Sequence, residues 1–215
     1  MSRPGTEGAR AEVFGDPDLL TGRLFFAVAV PGPVRAALEG ARRDLVRALP
    51  EARLPEPSGW HLTLAFLGKV RAEYSAEVVA VGEAAAAGAT RPTLRLEGAG
   101  GFPGAEKARV LWAGVSGDVE VLTAVAEALA DGCRAAGLPA EQRPFVPHLT
   151  LARLPAPRPL PGDLLDTVAA AAAQAPAWTV RNLACYRSTV THQGARYQVM
   201  REFPFGKGPG GGPEG

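Results

Sequence analysis

Residues 60–67 read WHLTLAFL, a mostly apolar segment of strand length. Its residues alternate as in a β-strand, so apolar side chains such as Trp60 and Leu62 share one face. His61 and Thr63 share the other face for the same reason. The stretch therefore predicts a strand that is buried on one side and displays an imidazole beside a hydroxyl on the other.

The tetrapeptide His-Leu-Thr-Leu occurs twice, at residues 61–64 and at residues 148–151. The chain has three histidines, and two of them begin these identical segments. A single histidine on a strand is more often a satisfied structural side chain. Two histidines in the same context indicate a functional pair instead. In the second copy, His148 shares its strand face with Thr150, as in the first copy.

This pairing suits proton transfer at a phosphate group. An imidazole has an unperturbed pKa of about 6.5, so His61 and His148 can divide the roles of acid and base near neutral pH. The hydroxyls of Thr63 and Thr150 can donate hydrogen bonds to phosphoryl oxygens without adding charge. Neither motif offers a third ligand at the spacing of a metal site. The sequence therefore predicts acid-base chemistry with no metal and no other cofactor.

Composition and charge limit the classes of partner. The net charge is +1 over 215 residues, which excludes the uniformly basic face that holds long duplexes. No stretch approaches the ~20 apolar residues that cross a bilayer, and the first residues lack the apolar run of a secretory signal. We expect a cytoplasmic protein with no membrane partner. Cys133 and Cys185 form no CxxC pattern and are expected to be buried thiols.

The apolar pattern separates one domain from two polar ends. Residues 1–20 and 206–215 lack apolar periodicity and are rich in glycine, so both are expected to be disordered. The domain is expected to occupy residues 21–205.

Within the domain, the periodicity predicts strands, helices and a terminal hairpin. The predicted strands lie at residues 23–30, 60–67, 93–98, 108–115 and 148–154. Gly68 is expected to end the second strand, and residues 98–104 are expected to form a loop. The predicted helices follow Pro33, lie near residues 72–87, begin at Asp118 and span residues 163–174. The hairpin is expected within residues 183–205, with its turn at residues 192–194.

Five segments resemble the two-histidine phosphoesterase superfamily, and within it the bacterial and archaeal RNA 2′,3′-cyclic phosphodiesterases, also called 2′-5′ RNA ligases. They are RLFFAVAVP, WHLTLAFLG, RVLWAGV, RPFVPHLTLAR and GARYQVMREFPF, which together span roughly Arg23 to Phe205. The resemblance implies an α+β fold with two pseudo-symmetric lobes. Their β-sheets would line a central cleft, and the helices would lie outside.

The same resemblance implies a reaction and roles for the four motif residues. The protein would hydrolyse 2′,3′-cyclic phosphates at RNA 3′ ends, including tRNA halves or small nucleotides, to 2′-phosphomonoesters. His61 would protonate the leaving 3′ oxygen, and His148 would accept a proton from water. Thr63 and Thr150 would hold the phosphate oxygens. The protein is expected to act as a monomer in RNA processing.

Four further residues have two interpretations each. Arg153 resembles an arginine of the family motif that can contact the phosphate. Strict alternation from His148 places it on the opposite face, so it reaches the cleft only if the strand bends or ends first. Otherwise it is a surface ion-pair residue. Phe66, Phe102 and Phe145 are candidates to stack on a terminal base, although alternation assigns Phe66 to the core.

Two other functions use the same residues. An ATP-independent 2′-5′ RNA ligase would join RNA halves with a ribose hydroxyl in place of water. Hydrolysis is expected to dominate unless a paired RNA positions that hydroxyl at high effective molarity. A catalytically silent nucleotide-binding module would have no need for two proton-transfer groups. His192 lies in the predicted turn without a threonine partner, and it is expected to be exposed and dispensable.

Overall fold

The computed structural model of the protein describes residues 19–140, 142–191 and 194–206. Within these residues the chain forms eight strands, five α-helices and three short 3₁₀ helices. The strands are β1 (Gly22–Ala29), β2 (His61–Val70), β3 (Thr93–Phe102), β4 (Ala108–Gly117), β5 (His148–Arg158), β6 (Trp178–Thr179), β7 (Asn182–Thr191) and β8 (Gly194–Pro204). The α-helices are α1 (Gly32–Ala37), α2 (Glu39–Ala48), α3 (Ser75–Ala87), α4 (Val119–Ala135) and α5 (Gly162–Gln174).

The strands form two four-stranded antiparallel sheets. The order in the first sheet is β2-β1-β7-β8, and the order in the second is β5-β4-β3-β6. Each His-x-Thr strand is therefore an edge strand that pairs with an apolar inner strand. The two edge strands, β2 and β5, contact each other. This arrangement confirms the predicted α+β fold with two similar lobes and brings the two motifs together between the sheets.

The helices lie on the outer faces and exchange between the lobes. Helix α3 packs on β7 and β8, and α5 packs on β3 and β4. Helix α4 connects two strands of the second sheet but packs on α3 and β2 of the first lobe. Helix α2 follows β1 of the first lobe but packs on α5 of the second lobe. One continuous cluster of buried apolar side chains from both lobes results. None of the described helices is both long enough and apolar enough to cross a membrane.

The helix predicted after Pro33 is divided into α1 and α2 at Leu38. The Leu38 N–H donates to the Arg35 carbonyl, a bond to the third preceding residue that tightens the turn. The apolar positions that recur every three or four residues, Val34, Leu38, Ala41 and Leu45, are all buried, whereas Ala48, the last of them, is exposed. The break therefore leaves one face of α1 and α2 packed inward as far as Leu45.

The predicted alternation fails in β2 after Leu64. Leu64 and Ala65 are both buried, whereas Phe66 is 48 % exposed. The pairing of β2 with β1 shifts at this point, which marks a β-bulge. One extra residue turns the next side chains to the other face, until a second shift, between Leu24 and Phe25, reverses the alternation again. The assignment of Phe66 to the core is therefore wrong, and its ring lies on the His61 face beside Phe25.

The same irregularity occurs at the matching place in β5. Leu151 and Ala152 are both buried, and the pairing with β4 shifts between Leu111 and Trp112. The next residue, Arg153, is exposed. The two motif strands thus share their bulges as well as their tetrapeptides, and Arg153 and Phe66 occupy equivalent positions in the two lobes.

Two strands extend beyond the glycines at which the sequence predicted that they would end. Strand β2 continues past Gly68, which adopts a φ of +66°, to the buried residue Val70. Strand β3 runs through most of the predicted loop to Phe102. A Cβ at Gly100 would lie 2.4 Å from the ring of Trp112 on the neighbouring strand. Glycine is required there because the indole lies against the backbone.

The ends of the fold extend slightly further than predicted. Leu20 is 1 % exposed, and its N–H donates to the Ser75 hydroxyl. Gly206 pairs with Thr90, and its N–H donates to the Ala89 carbonyl. The predicted hairpin is confirmed as β7 and β8, whereas the turn residues 192–193, and with them the prediction for His192, lie outside the described residues. Both cysteines are buried thiols, as expected.

Close packing between α3 and β8 depends on the missing side chain of Gly82. A Cβ there would lie 2.6 Å from the ring of Phe203, which is 2 % exposed. We expect Gly82→Val to lower the free energy of unfolding by about 1–3 kcal/mol through overpacking, as measured by urea denaturation. Gly162→Val is the control, because nothing lies within 4 Å of its Cβ position. Equal stability of the two variants would contradict this account.

Candidate active site

One cleft between β2 and β5 contains all five residues predicted for the site. His61, Thr63, His148, Thr150 and Arg153 line it. The remaining lining residues are Pro55, Gly59, Trp60 and Tyr197. The two repeated tetrapeptides thus contribute matching side chains from opposite sides of one space.

Both imidazoles are oriented by a carbonyl two residues earlier in the chain. The Nδ1 atom of His61 lies 2.7 Å from the Gly59 oxygen, and that of His148 lies 2.8 Å from the Val146 oxygen. A carbonyl only accepts hydrogen bonds, so each Nδ1 carries a proton. The nitrogen that remains available to a ligand is Nε2 in both rings. The two lobes therefore fix the same tautomer by the same local device.

The two histidines differ in their surroundings. The ring of His61 packs against three aromatic rings, with centroid distances of 4.8 Å to Phe25, 5.6 Å to Tyr186 and 4.9 Å to Tyr197. The ring of His148 meets the edge of Phe102 at 4.8 Å. His61 is consequently the more desolvated of the two imidazoles.

This difference affects proton affinity. Burial lowers the pKa of His61 to about 4, against the opposing effect of the hydrogen bond to Gly59, and the charges of Arg153 and His148 lower it further. Burial also lowers the pKa of His148, again against its carbonyl bond and with the help of Arg153. Both imidazoles are thus neutral in the free protein at neutral pH. A bound phosphate anion would raise both pKa values.

We expect this protonation pattern to be visible by NMR titration of the free protein. His61 should titrate near pH 4 and His148 below pH 6.5, because burial disfavours the imidazolium in both. The ring ¹⁵N shifts should report protonated Nδ1 in both neutral rings, and inorganic phosphate should move both midpoints upward. A His61 midpoint at or above 6.5 without phosphate would contradict the described burial.

Arg153 reaches the cleft because of the bulge in β5. Its backbone is also held on the outer edge of the strand: the Arg153 N–H donates to the Arg53 carbonyl at 2.9 Å, and the Arg53 N–H donates back at 2.8 Å. Arg158, further along β5, is ion-paired with Glu51. The loop before β2 therefore secures the strand that carries Arg153, and the interpretation of Arg153 as a cleft residue is the one that fits.

Tyr197 is a cleft residue that the sequence did not predict. It lies on β8, lines the cleft, and meets the ring of His61 edge to face. A Cβ at Gly59 would lie 3.2 Å from the Tyr197 ring, so a glycine beneath the ring gives it room. The segment GARYQVM contains this tyrosine, but its strand pattern alone does not tell which face of the sheet it occupies.

The three candidate phenylalanines have different positions. Phe102 is half-buried and contacts both His148 and Trp112. Phe145 packs against the hydrophobic core instead. Phe66 is exposed on the cleft face, next to Phe25. Phe66 and Phe102 are therefore the two of these rings that remain near the motifs.

The chemistry of the cleft suits an anion. It offers a guanidinium, two threonine hydroxyls and two imidazoles, and no carboxylate is among its described lining residues. Across residues 19–140, 142–191 and 194–206, no three His, Cys, Asp or Glu side chains are grouped so that they could hold a metal ion. A phosphate between the two Nε2 atoms would meet hydrogen-bond donors from both lobes.

Comparisons with known proteins identify the family of the chain. A relative from Thermus thermophilus named RNA 2′,3′-cyclic phosphodiesterase is 33% identical over 207 residues, which cover 90% of this chain and 99% of that protein. The crystal structure of TT0787 from the same species matches with a TM-score of 0.68 at 32% identity, over 85% of this chain and 97% of that one. Apo LigT from Escherichia coli matches with a TM-score of 0.65 at 25% identity, over 86% and 98%. The profile of the 2′-5′ RNA ligase superfamily matches residues 30–191, and the chain belongs to that family.

Proposed function

We propose that the protein is an RNA 2′,3′-cyclic phosphodiesterase, which opens the cyclic phosphate at an RNA 3′ end and leaves a 2′-phosphate. The observation that carries this proposal is that two imidazoles, each held through Nδ1 by a backbone carbonyl, line one cleft together with a guanidinium and two hydroxyls. Curated relatives carry the same enzyme name. A solved structure of E. coli LigT complexed with 3′-AMP supports a nucleotide ligand in this fold.

In the proposed mechanism, the phosphate lies between the two Nε2 atoms. His148 accepts a proton from water as the water oxygen bonds to phosphorus, and His61 donates a proton to the 3′ oxygen as its bond to phosphorus breaks. The low pKa of His61 makes its imidazolium a strong acid, which suits protonation of a departing alkoxide. In the proposal the anionic phosphate raises the pKa of His61 more than that of His148, so that His61 takes up this proton while His148 stays neutral.

The hydroxyls and the guanidinium stabilise charge on the phosphate. Thr63 and Thr150 follow their histidines by two residues, so each hydroxyl faces the same space as its imidazole. In the proposal each hydroxyl donates a hydrogen bond to a non-bridging oxygen. Arg153 neutralises the negative charge that builds up as water attacks. These are the roles for which a divalent metal ion would otherwise be needed.

One assay tests the reaction, the product and the metal dependence together. The purified protein is incubated with a single-stranded RNA that ends in a 2′,3′-cyclic phosphate, in buffer with a chelator. We expect a 2′-phosphomonoester at a rate unchanged by the chelator. Activity that disappears in chelator and returns with a divalent metal would favour a metallohydrolase. A 3′-phosphate product would refute the proposed leaving group.

The second candidate is ligation, in which a ribose hydroxyl of another RNA attacks in place of water. The name of the matching family favours including it. Water is present at far higher concentration, so ligation requires a paired RNA that holds its hydroxyl in line. The same assay with added RNA halves, followed for both products, measures the ratio. A protein that binds the cyclic end and forms neither product would be a silent binding module.

The proposal also includes a cytoplasmic location and a monomeric state. Both remain predictions. Cell fractionation tests the first, and light scattering on the purified protein tests the second.

A further inference from the structure

The cleft face of the first sheet continues well beyond the two histidines. Strand β1 carries Arg23, Phe25 and Ala27 on this face, since every second residue of a strand shares a face and the ring of Phe25 contacts His61. Their partners on β2 are Lys69, Phe66 and Thr63 in the same order. The sheet therefore presents three consecutive rows: a hydroxyl at the active site, then an aromatic pair, then a pair of cations.

The cation pair has no structural explanation in the described fold. Arg23 and Lys69 are directly opposite each other and both are exposed. Like charges that face each other across two strands destabilise a sheet. Among the ion pairs within residues 19–140, 142–191 and 194–206, none involves either residue. The positive charge is thus available to a ligand.

The other lobe provides an internal comparison. Its equivalent row, at the far end of β5, pairs Ala108 with Arg158. Arg158 is neutralised by its ion pair with Glu51. The Arg23–Lys69 row of the first sheet therefore carries positive charge outside any ion pair of the described residues, whereas the matching row of the second sheet does not. An extended anion that leaves the active cleft would be attracted over the first sheet.

Phe66 lies between the active site and the two cations. Its ring is 48 % exposed and is supported from the side by Phe25, at a centroid distance of 5.8 Å. An exposed aromatic ring on a supporting one is a platform on which an unpaired base can stack. The cation row lies four residues along β1 from the row that contains Thr63, a distance of about 13 Å. This is beyond the terminal phosphate and within reach of the preceding nucleotides.

We propose that Phe66, Lys69 and Arg23 form an upstream strip that binds the single-stranded RNA preceding the cyclic phosphate. Phe66 stacks on a base, and the two cations contact a backbone phosphate. The substrate is thereby an RNA strand with a cyclic end, rather than a free cyclic mononucleotide. This inference rests on the proposed phosphodiesterase function for its identification of the ligand, and it adds the part of the ligand that the cleft does not contact.

The test compares two substrates and two variants of equal charge. The substrates are a short oligonucleotide that ends in a 2′,3′-cyclic phosphate and the cyclic mononucleotide with the same terminal base. The variant is Arg23→Gln/Lys69→Gln. The control is Arg43→Gln/Arg47→Gln, which removes two exposed cations from the outer helix α2. The value of kcat/KM is measured for each protein over a range of salt concentrations.

We expect the unmodified protein to prefer the oligonucleotide. In the strip variant the ratio of kcat/KM for the oligonucleotide over the mononucleotide should fall by about tenfold, and the slope of its logarithm against the logarithm of salt concentration should decrease by about 1. The control should retain the preference. Phe66→Leu should reduce the preference, and Phe66→Tyr should restore it, because a second aromatic ring can stack equally well.

Failure of the strip and failure of the proposed function give different results. Equal kcat/KM for the two substrates in the unmodified protein, or equal losses in the strip and control variants, would overturn the strip while hydrolysis stands. If neither substrate is hydrolysed, the proposed function fails. Fluorescence anisotropy with a labelled oligonucleotide then tests the strip alone: weaker binding by the strip variant than by the control supports it, and equal binding overturns it.

Discussion

Replacement of His61 or of His148 by alanine is expected to lower kcat for a cyclic-ended RNA by at least ~10²-fold. Each replacement removes the side chain that makes one of the two proton transfers. Because the two imidazoles act as a unit on one phosphate, the double variant should be little slower than either single variant. Single-turnover kinetics with saturating enzyme measure the effect on the chemical step.

The control for these variants is His192→Ala, which should remain close to the unmodified protein. The fold should survive all three changes, because Thr63 and Leu62 keep β2 paired with β1, and β5 is held in the same way by β4. Circular dichroism and urea denaturation check this. His61→Ala leaves a gap beside Phe25 and Tyr186, so a modest loss of stability is expected there. Full activity in either motif variant would end the acid-base assignment.

The repeat made the centre of the site predictable from sequence. A tetrapeptide that occurs twice, with two of three histidines, is improbable as structural sequence, and the strand period places each threonine beside its histidine. The structure places both pairs in one cleft. The α+β fold was implied by the family resemblance, and the predicted strands and helices agreed with it, since each element carries its own apolar period.

The register between neighbouring strands cannot be predicted from the apolar alternation within one strand. The bulges after Leu64 and Leu151 depend on pairing with β1 and β4, and their effect is to reverse the faces of Phe66 and Arg153. A strand pattern counted residue by residue predicts the opposite face for both. The position of Tyr197 was hidden for a related reason, because it depends on how β7 and β8 join a sheet begun almost the whole chain earlier.

The exchange of helices between lobes was equally inaccessible. The stripes on α2 and α4 predicted which residues are buried, but a stripe does not identify the surface that covers it. Only the packing of α4 on β2 and of α2 on α5 reveals that each lobe covers part of the other. This exchange matters for function because the cleft lies between two lobes that must keep a fixed separation.

Arg153→Gln is expected to lower kcat/KM by roughly 10²-fold and also to displace the pH profile, two effects with separate causes. The loss of rate follows from removal of the cleft's guanidinium, which stabilises charge on the phosphate in the transition state. The displacement of the pH profile follows from a change in the pKa values of His61 and His148. Burial is the main cause of the low pKa of both histidines, and the charge of Arg153 lowers both further. Without that charge both pKa values rise.

The direction of the pH change follows from the two roles. Activity needs one neutral and one protonated imidazole, which gives a bell-shaped profile whose apparent pKa values belong to the pair. When both histidine pKa values rise, the base becomes neutral only at higher pH, and the acid stays protonated to higher pH. Both limbs of the profile should therefore move upward in Arg153→Gln. In Arg153→Lys the charge remains, so the limbs should stay in place while part of the rate is lost with the forked geometry.

The matched control is Arg158→Gln on the same strand, whose guanidinium is occupied by Glu51 outside the cleft. This variant should change neither kcat/KM nor the position of either limb of the pH profile. A profile from kcat/KM between about pH 3 and pH 9 for the four proteins separates the alternatives. If Arg153→Gln loses rate without any movement of the limbs, the guanidinium contacts the phosphate but does not govern the protonation of the histidines. If neither changes, Arg153 is a surface residue despite the bulge, and the phosphate is held by the two Thr hydroxyls and the imidazoles alone.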